Sequence, residues 1–230
     1  MRLFVHVPKC AGLSVQYFFA ENIDNLIIDD HHNLYWHLPN ARHKIMQEFL
    51  NLSDKKWYKD NALVVGHFFP IKYDLGNKTK LVTILRDPID RLVSHYNYWQ
   101  NYAHELDFES IHHGSSGGIS KVLTPGQASN FRKMSLRKFC KHYQWYSYYA
   151  TWLFSVSLDR FDYVGLTENI DESFEKVKDV FEIKTDSELK KINETPKKYN
   201  KMNSKLRKEL EDLLSLDYYI YNYFKKKFHE

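Results

Sequence analysis

Cysteine is nearly missing from this chain of 230 residues, which has only Cys10 and Cys140. Neither sits in a Cys-x-x-Cys pair or at ligand spacing from histidine, so no zinc motif is present and no metal is expected. Reduced thiols are the simpler expectation than a disulfide. Glycine and proline are also scarce, at eight and six residues, while 16% of the chain is aromatic and 43% hydrophobic. That balance excludes a disordered or low-complexity chain. No window approaches the roughly 18 apolar residues of a membrane span. Met1-Arg2 leads into just Leu3 to Val7 before Pro8-Lys9, which is not a secretory leader, so a cytoplasmic location is expected. Charge of one sign is not abundant either. The formal net charge of +4 suits an anionic ligand and does not call for nucleic acid. The run Lys225-Lys226-Lys227 reads as a solvated helix end, where cations suit the helix dipole.

What is there alternates between strand and helix signals, without internal repeats. Leu3–Val7, Ala62–Gly66, Lys80–Leu85 and Phe161–Leu166 read as short buried strands. Helices are expected from Ser14 to about Glu21, over His43–Leu50, from Pro88 onward, over Leu136–Leu158, Ile170–Phe181 and Ser187–Ile192. A last one is expected over Ser204–Phe228, with a break near Leu216. The segment from Ile23 to His43 is polar and carries no clear signal. Strands alternating with helices predict an α/β fold with a parallel sheet, and the length fits one domain over residues 1–230. Residues 103–134, with His112-His113-Gly114-Ser115-Ser116-Gly117-Gly118 and Thr124-Pro125-Gly126, read as a long mobile loop suited to a substrate lid.

Two stretches carry anion-binding chemistry. Pro8-Lys9-Cys10-Ala11-Gly12-Leu13-Ser14 lies between the first strand and the first helix. A turn there aims backbone N–H groups at one point, and the helix N-terminus adds positive potential. Lys9 supplies a cation and Ser14 a hydroxyl. The lysine precedes the glycine, so this is not a Walker motif. No acidic magnesium partner follows a later strand, because the second strand ends in Gly66-His67 and the third in Arg86. On spacing alone, an ordinary turn with an exposed lysine fits equally well. The second stretch is Arg86-Asp87-Pro88-Ile89-Asp90-Arg91-Leu92-Val93-Ser94-His95-Tyr96. Arg86 ends a strand, where ligands bind in open α/β sheets, and its planar fork suits phosphate. Ser94 lies a little over two helical turns on. The plainer alternative makes Arg86 and Asp87 a surface ion pair. Arg91 can pair with Asp87 at helical spacing.

Both stretches resemble the nucleotide motifs of sulfotransferases that use 3′-phosphoadenosine-5′-phosphosulfate (PAPS). The first is similar to the 5′-phosphosulfate loop, Pro-Lys-Thr-Gly/Ala-Gly/Ser-Thr-Ser, with Cys10 and Leu13 in place of hydroxyl residues. The second is similar to the 3′-phosphate motif, Arg-Asp-Pro-x-x-Arg-x-x-Ser-x-Tyr. The resemblance implies a P-loop-like fold of three layers, a central parallel sheet flanked by helices. It also implies that Pro8, Lys9, Cys10, Ala11, Gly12, Leu13 and Ser14 hold the 5′-phosphosulfate, that Arg86 and Ser94 grip the 3′-phosphate, and that PAP is the product. Gly66-His67-Phe68-Phe69-Pro70 is similar to the Gly-His-x-x-Phe/Pro element of carbohydrate sulfotransferases related to heparan sulfate 2-O-sulfotransferase. There the histidine is the base, so His67 and Lys9 are the expected catalytic groups, and the acceptor is expected to be a hydroxyl, in particular on a glycan. Among twelve histidines, His6 is the main competitor, and a place inside the first strand favours a packed role for it. Val164-Gly165-Leu166-Thr167-Glu168 and the late polar loop Ile192–Lys198 are similar to further family elements; the first is read as core. Two rivals stay open at this point: a P-loop nucleotide kinase, and a non-enzymatic binder of anionic glycans using Trp145, Tyr146, Tyr148, Tyr149, Trp152 and Phe154.

Overall fold

A computed structural model of the chain describes residues 1–29, 58, 61–102, 134–141, 147–153, 156–192 and 202–230. Five strands are present among them: β1 (Arg2–Val5), β2 (Leu26–Ile28), β3 (Leu63–Gly66), β4 (Lys80–Leu85) and β5 (Tyr163–Leu166). They form one parallel sheet in the order β2-β3-β1-β4-β5. Their short runs of β-branched and aromatic residues are what a sheet covered on both faces requires.

The helices are α1 (Gly12–Asn22), α2 (Pro88–Tyr102), α3 (Leu136–Cys140), α4 (Tyr148–Trp152), α5 (Ile170–Phe181), α6 (Ser204–Leu213) and α7 (Ser215–His229). They cover the two faces as two cores. On one face Phe4, Leu63, Val65, Val82, Ile84 and Tyr163 pack against Val15, Phe18 and Phe19 of α1 and Phe174, Val177 and Phe181 of α5. On the other, Leu3, Val5, Val64, Leu81, Leu85, Val164 and Leu166 meet residues of α2, α3, α4, α6 and α7. The alternation along each strand, with Phe4 facing one core and Leu3 and Val5 the other, follows from the two-residue period of the backbone. The result is the expected three-layer α/β arrangement.

The chain departs from its sequence expectation in four places. β2 was not expected; three apolar residues are too short a signal, and Leu26 and Ile27 are only half-buried. The Leu136–Leu158 helix is two short helices where it is described, α3 and α4. Ser187–Ile192 is not helical and has no regular secondary structure. Its polar groups bond instead to α1, with Ser187 Oγ on Asn22 Oδ1 at 3.1 Å, Lys190 Nζ on Glu21 at 2.9 Å, and Ile192 N–H on Ser14 Oγ at 3.0 Å. The break in the C-terminal helix falls at Leu214, which caps α6. The expected helix at His43–Leu50, the loop at residues 103–133 and most of the late loop at 192–198 lie outside the described residues.

β1 is central. The chain reaches β2 and β3 on one side of it, then crosses to β4 and β5 on the other. The order therefore reverses at β1, and the carboxyl ends of β3, β1 and β4 border the crevice where an open parallel sheet takes its ligand.

Candidate active site

Three segments leave that edge side by side. Val5 is registered with Gly66 of β3 and with Thr83 of β4, and neighbouring strands lie about 4.8 Å apart. The segments after β1, β3 and β4 carry Lys9, His67 and Arg86 respectively.

The segment after β1 is a tight loop of alternating hand. Lys9 has φ 69° and Ala11 φ 60°, with Cys10 between them at negative φ. Neither residue with positive φ is glycine, so the loop keeps a conformation that side chains disfavour. Alternation of this kind turns backbone N–H groups toward a common concavity. Ala11 is the N-cap of α1 and offers no side-chain acceptor, so the first-turn N–H groups of Gly12, Leu13 and Ser14 point outward at the positive end of the helix dipole. Gly12 is required by space: a Cβ there would lie 1.9 Å from Cδ2 of His6. His6 stands one residue beyond β1, not inside it, and its N–H donates to Gly66 O at 2.8 Å. It is packed, as expected, with 7% exposure.

Lys9 is the cation of this loop. Its ammonium stands over the Tyr98 ring, 4.4 Å from the centroid, and among the described residues no carboxylate is paired with it. Burial lowers its pKa to about 8, with the nearby charges of Arg86 and Arg91 adding to the fall. Lys9 therefore lies close enough to Arg86 to feel its charge. Ser94 is half-exposed on α2, one turn before Tyr98. The spacing of four puts both on one face of the helix, the face that Lys9 meets. Asp87 bonds Arg91 only through the main chain, its carbonyl accepting the Arg91 N–H at 2.8 Å, and forms no ion pair with the guanidinium. Its carboxylate accepts the N–H groups of Ile89 and Asp90, each at 3.0 Å, and the Tyr218 hydroxyl at 3.0 Å. It is the cap of α2, and the Arg86 guanidinium is left free of it. Arg91 turns inward, wholly buried, with its guanidinium 3.8 Å from the Tyr148 ring centroid. Cys10 also turns inward. Its N–H bonds to Val7 O at 3.3 Å, and its sulfur lies 3.8 Å from Pro8 O and 3.9 Å from the Tyr149 hydroxyl. Burial pushes this thiol up to about 12, so it stays protonated and unreactive.

His67 follows Gly66, whose φ of 149° only glycine adopts readily. The His67 ring lies 4.0 Å from that of His6, tilted by 34°, and 5.6 Å from Trp152. It is half-exposed at the edge of the crevice, whereas Trp152, Tyr148 and Tyr149 of the aromatic run are buried in the core.

A model of the sulfotransferase family matches residues 3–224. The chain belongs to the sulfotransferase family. A solved sulfotransferase from Alicyclobacillus acidocaldarius superposes with a TM-score of 0.46 at 15% identity, over 96% of this chain and 95% of its own. No curated protein matches the sequence significantly.

In this sulfotransferase the groups that shape the loop after β4 come from far along the chain, and the sequence reading missed them. Glu168 accepts the Asp87 N–H at 2.7 Å, so the Val164–Glu168 element does more than fill the core. Gly165 in that element lets Ser173 approach, since a Cβ would sit 2.9 Å from Cβ of Ser173. Tyr218, in α7, holds Asp87. Asp217 accepts the N–H groups of Tyr148 and Tyr149 at 3.0 and 2.8 Å, capping α4 from a neighbouring helix. Tyrosines spaced along a helix announce core packing as readily as polar anchoring, and only Asp217, a buried carboxylate, stands out as a signal that could have been followed.

Proposed function

We propose that this sulfotransferase moves a sulfuryl group from PAPS to a hydroxyl of a carbohydrate by in-line displacement. The loop at residues 8–14 receives the 5′-phosphosulfate on its N–H groups and on Lys9. Arg86 and Ser94 receive the 3′-phosphate. His67 takes the proton from the acceptor hydroxyl as its oxygen bonds to sulfur. The bond from sulfur to the phosphate oxygen breaks, its electron pair leaves with PAP, and Lys9 meets the charge that builds on that oxygen.

The observation that carries this reading is the shared edge. Lys9, Arg86 and His67 follow three neighbouring strands, and Lys9 feels the charge of Arg86. Two half-buried cations without a carboxylate partner among the described residues fit a ligand with phosphate at both ends, since a partly desolvated charge gains from an anionic partner. The glycan acceptor rests on the likeness of the Gly66–Pro70 element.

The test is a transfer assay with sulfur-labelled PAPS against a panel of glycans and phenols, joined to calorimetry with PAP. Label on a glycan hydroxyl and tight PAP binding are expected. Label on phenols alone would overturn the acceptor. Absence of PAP binding, or magnesium-dependent turnover of ATP in its place, would overturn the donor.

A further inference from the structure

We infer that Tyr149 is a positioning residue for recognition of the nucleotide 3′-phosphate, an inference that rests on the reading of Arg86 given above. The Tyr149 side chain is fully buried, and its hydroxyl closes on the main chain of Arg86 from both sides. It donates to the Arg86 carbonyl and accepts the Arg86 N–H at 3.2 Å. The same oxygen lies 3.9 Å from the Cys10 sulfur, within the loop that carries Lys9. One phenol therefore joins the backbone of the residue after β4 to the loop after β1.

The chemistry fits a clamp. A residue just past a strand end has lost its ladder partners, and its N–H and C=O must be satisfied elsewhere. Here one side chain satisfies both, which fixes the peptide planes around Arg86 and with them the direction in which its guanidinium leaves the backbone. Burial raises the Tyr149 pKa well above its ordinary value, so the hydroxyl keeps the proton it donates. Tyr149 is itself held from behind, because Asp217 accepts its N–H at 2.8 Å. Cys10, itself buried, turns its thiol to this clamp.

The test is the affinity of Tyr149→Phe for PAP and for adenosine 5′-monophosphate, which lacks the 3′-phosphate. The ring is kept, so the core is preserved. Binding of PAP should weaken about tenfold while binding of the monophosphate stays unchanged, and turnover at saturating PAPS should change less than twofold. An unaltered ratio of the two affinities, or equal weakening of both, would overturn the inference. If the wild-type protein does not prefer PAP to the monophosphate, the assignment of Arg86 fails and the clamp with it. Should Tyr149→Phe not fold, amide exchange at Arg86 in the wild-type protein decides the matter. Slow exchange without nucleotide is expected of an N–H held by Tyr149, and rapid exchange overturns it.

Discussion

The imidazole of His6 occupies the space that any side chain at position 12 would need, with Cδ2 1.9 Å from where a Cβ would be. The contact joins the end of β1 to the first residue of α1, so the intervening loop is closed tightly around Lys9 and Ala11. Replacing Gly12 with Ala must move either the ring or the loop. Because the His6 ring also lies against that of His67, 4.0 Å between centroids, it has little room to retreat. Gly12→Ala should cost about 1–3 kcal/mol of stability, as overpacking usually does, and weaken PAP binding further than that loss alone explains. Denaturant unfolding together with calorimetry would show it, and a variant with native stability and native affinity would dispose of the packing argument.

Lys9 gives the site a pH signature. Its pKa in the folded protein is about 8, below the ordinary 10.5. At pH 7 it is charged and ready for an anion. As pH rises through 8 the free protein loses that charge, so PAP binding should weaken by up to about tenfold per pH unit above that point. Stability of the ligand-free protein moves the other way. Between pH 8 and 10.5 the unfolded chain binds more protons at this residue than the folded one, so its contribution to stability rises across that window. Lys9→Met should remove the pH dependence of binding above pH 8, stabilise the ligand-free fold by about 1–2 kcal/mol, and reduce turnover at least a hundredfold. Equal pH profiles for wild type and Lys9→Met would show that another group is titrating.

How far the sequence could be read depended on the distance between partners. Ile170–Phe181 was legible to the residue because α5 is amphipathic over its whole length and sits against one face of the sheet. That Lys9 and Arg86 leave the same edge of the sheet was legible because both follow parallel strands, and parallel strands end on the same side. The clamp on Arg86 was not legible. Tyr149 is 63 residues away, it belongs to an aromatic run that core packing explains well, and its partners are backbone atoms, which have no residue type. The irregular course of Ser187–Ile192 was equally hidden. Its helical composition is overridden by side chains of α1 that take its polar groups one by one.

Arg91 and Asp217 form the charged centre of the larger core. Both are fully buried, and no nitrogen of the guanidinium is hydrogen-bonded among the described residues. Burial raises the Asp217 pKa to about 6, while Arg91 and the N–H groups of α4 pull it back. Of the other titratable groups that feel Arg91, Lys9 is lowered to about 8 and stays charged near pH 7, while Cys10, Cys140 and Tyr149 are pushed up by burial and remain neutral there. An acid raised above its unfolded value of 3.8 costs stability in full above its folded pKa, and not at all below its unfolded one. Arg91→Met removes the cation that offsets this cost. The variant should lose about 3 kcal/mol at pH 8 and clearly less at pH 5, where Asp217 can protonate. Adding Asp217→Asn should recover part of the loss at pH 8. Thermal melting of the three proteins at both pH values is the measurement, and equal destabilisation at pH 5 and pH 8 would separate Arg91 from Asp217.

His67 is the group whose removal should separate chemistry from nucleotide binding. It follows β3, one strand away from the loop that carries Lys9, and its ring is stacked on His6 and edged by Trp152. Those contacts hold it at the rim of the crevice while leaving it half-exposed to an acceptor. Neither contact involves Arg86, and the start of α1 is met by His6, which the substitution leaves in place. His67→Ala should therefore lower turnover by about a hundredfold to ten-thousandfold, the usual span for a lost general base, while the affinity for PAP changes less than threefold. Because neighbouring His6 could take over the proton, His6→Ala in the same background should reduce the residual rate further if it does so, and leave it unchanged if water is the acceptor. A His67→Ala protein with full turnover would move the base elsewhere. One that loses PAP affinity and turnover in equal measure would make His67 a support of the nucleotide site and not the group that accepts the proton.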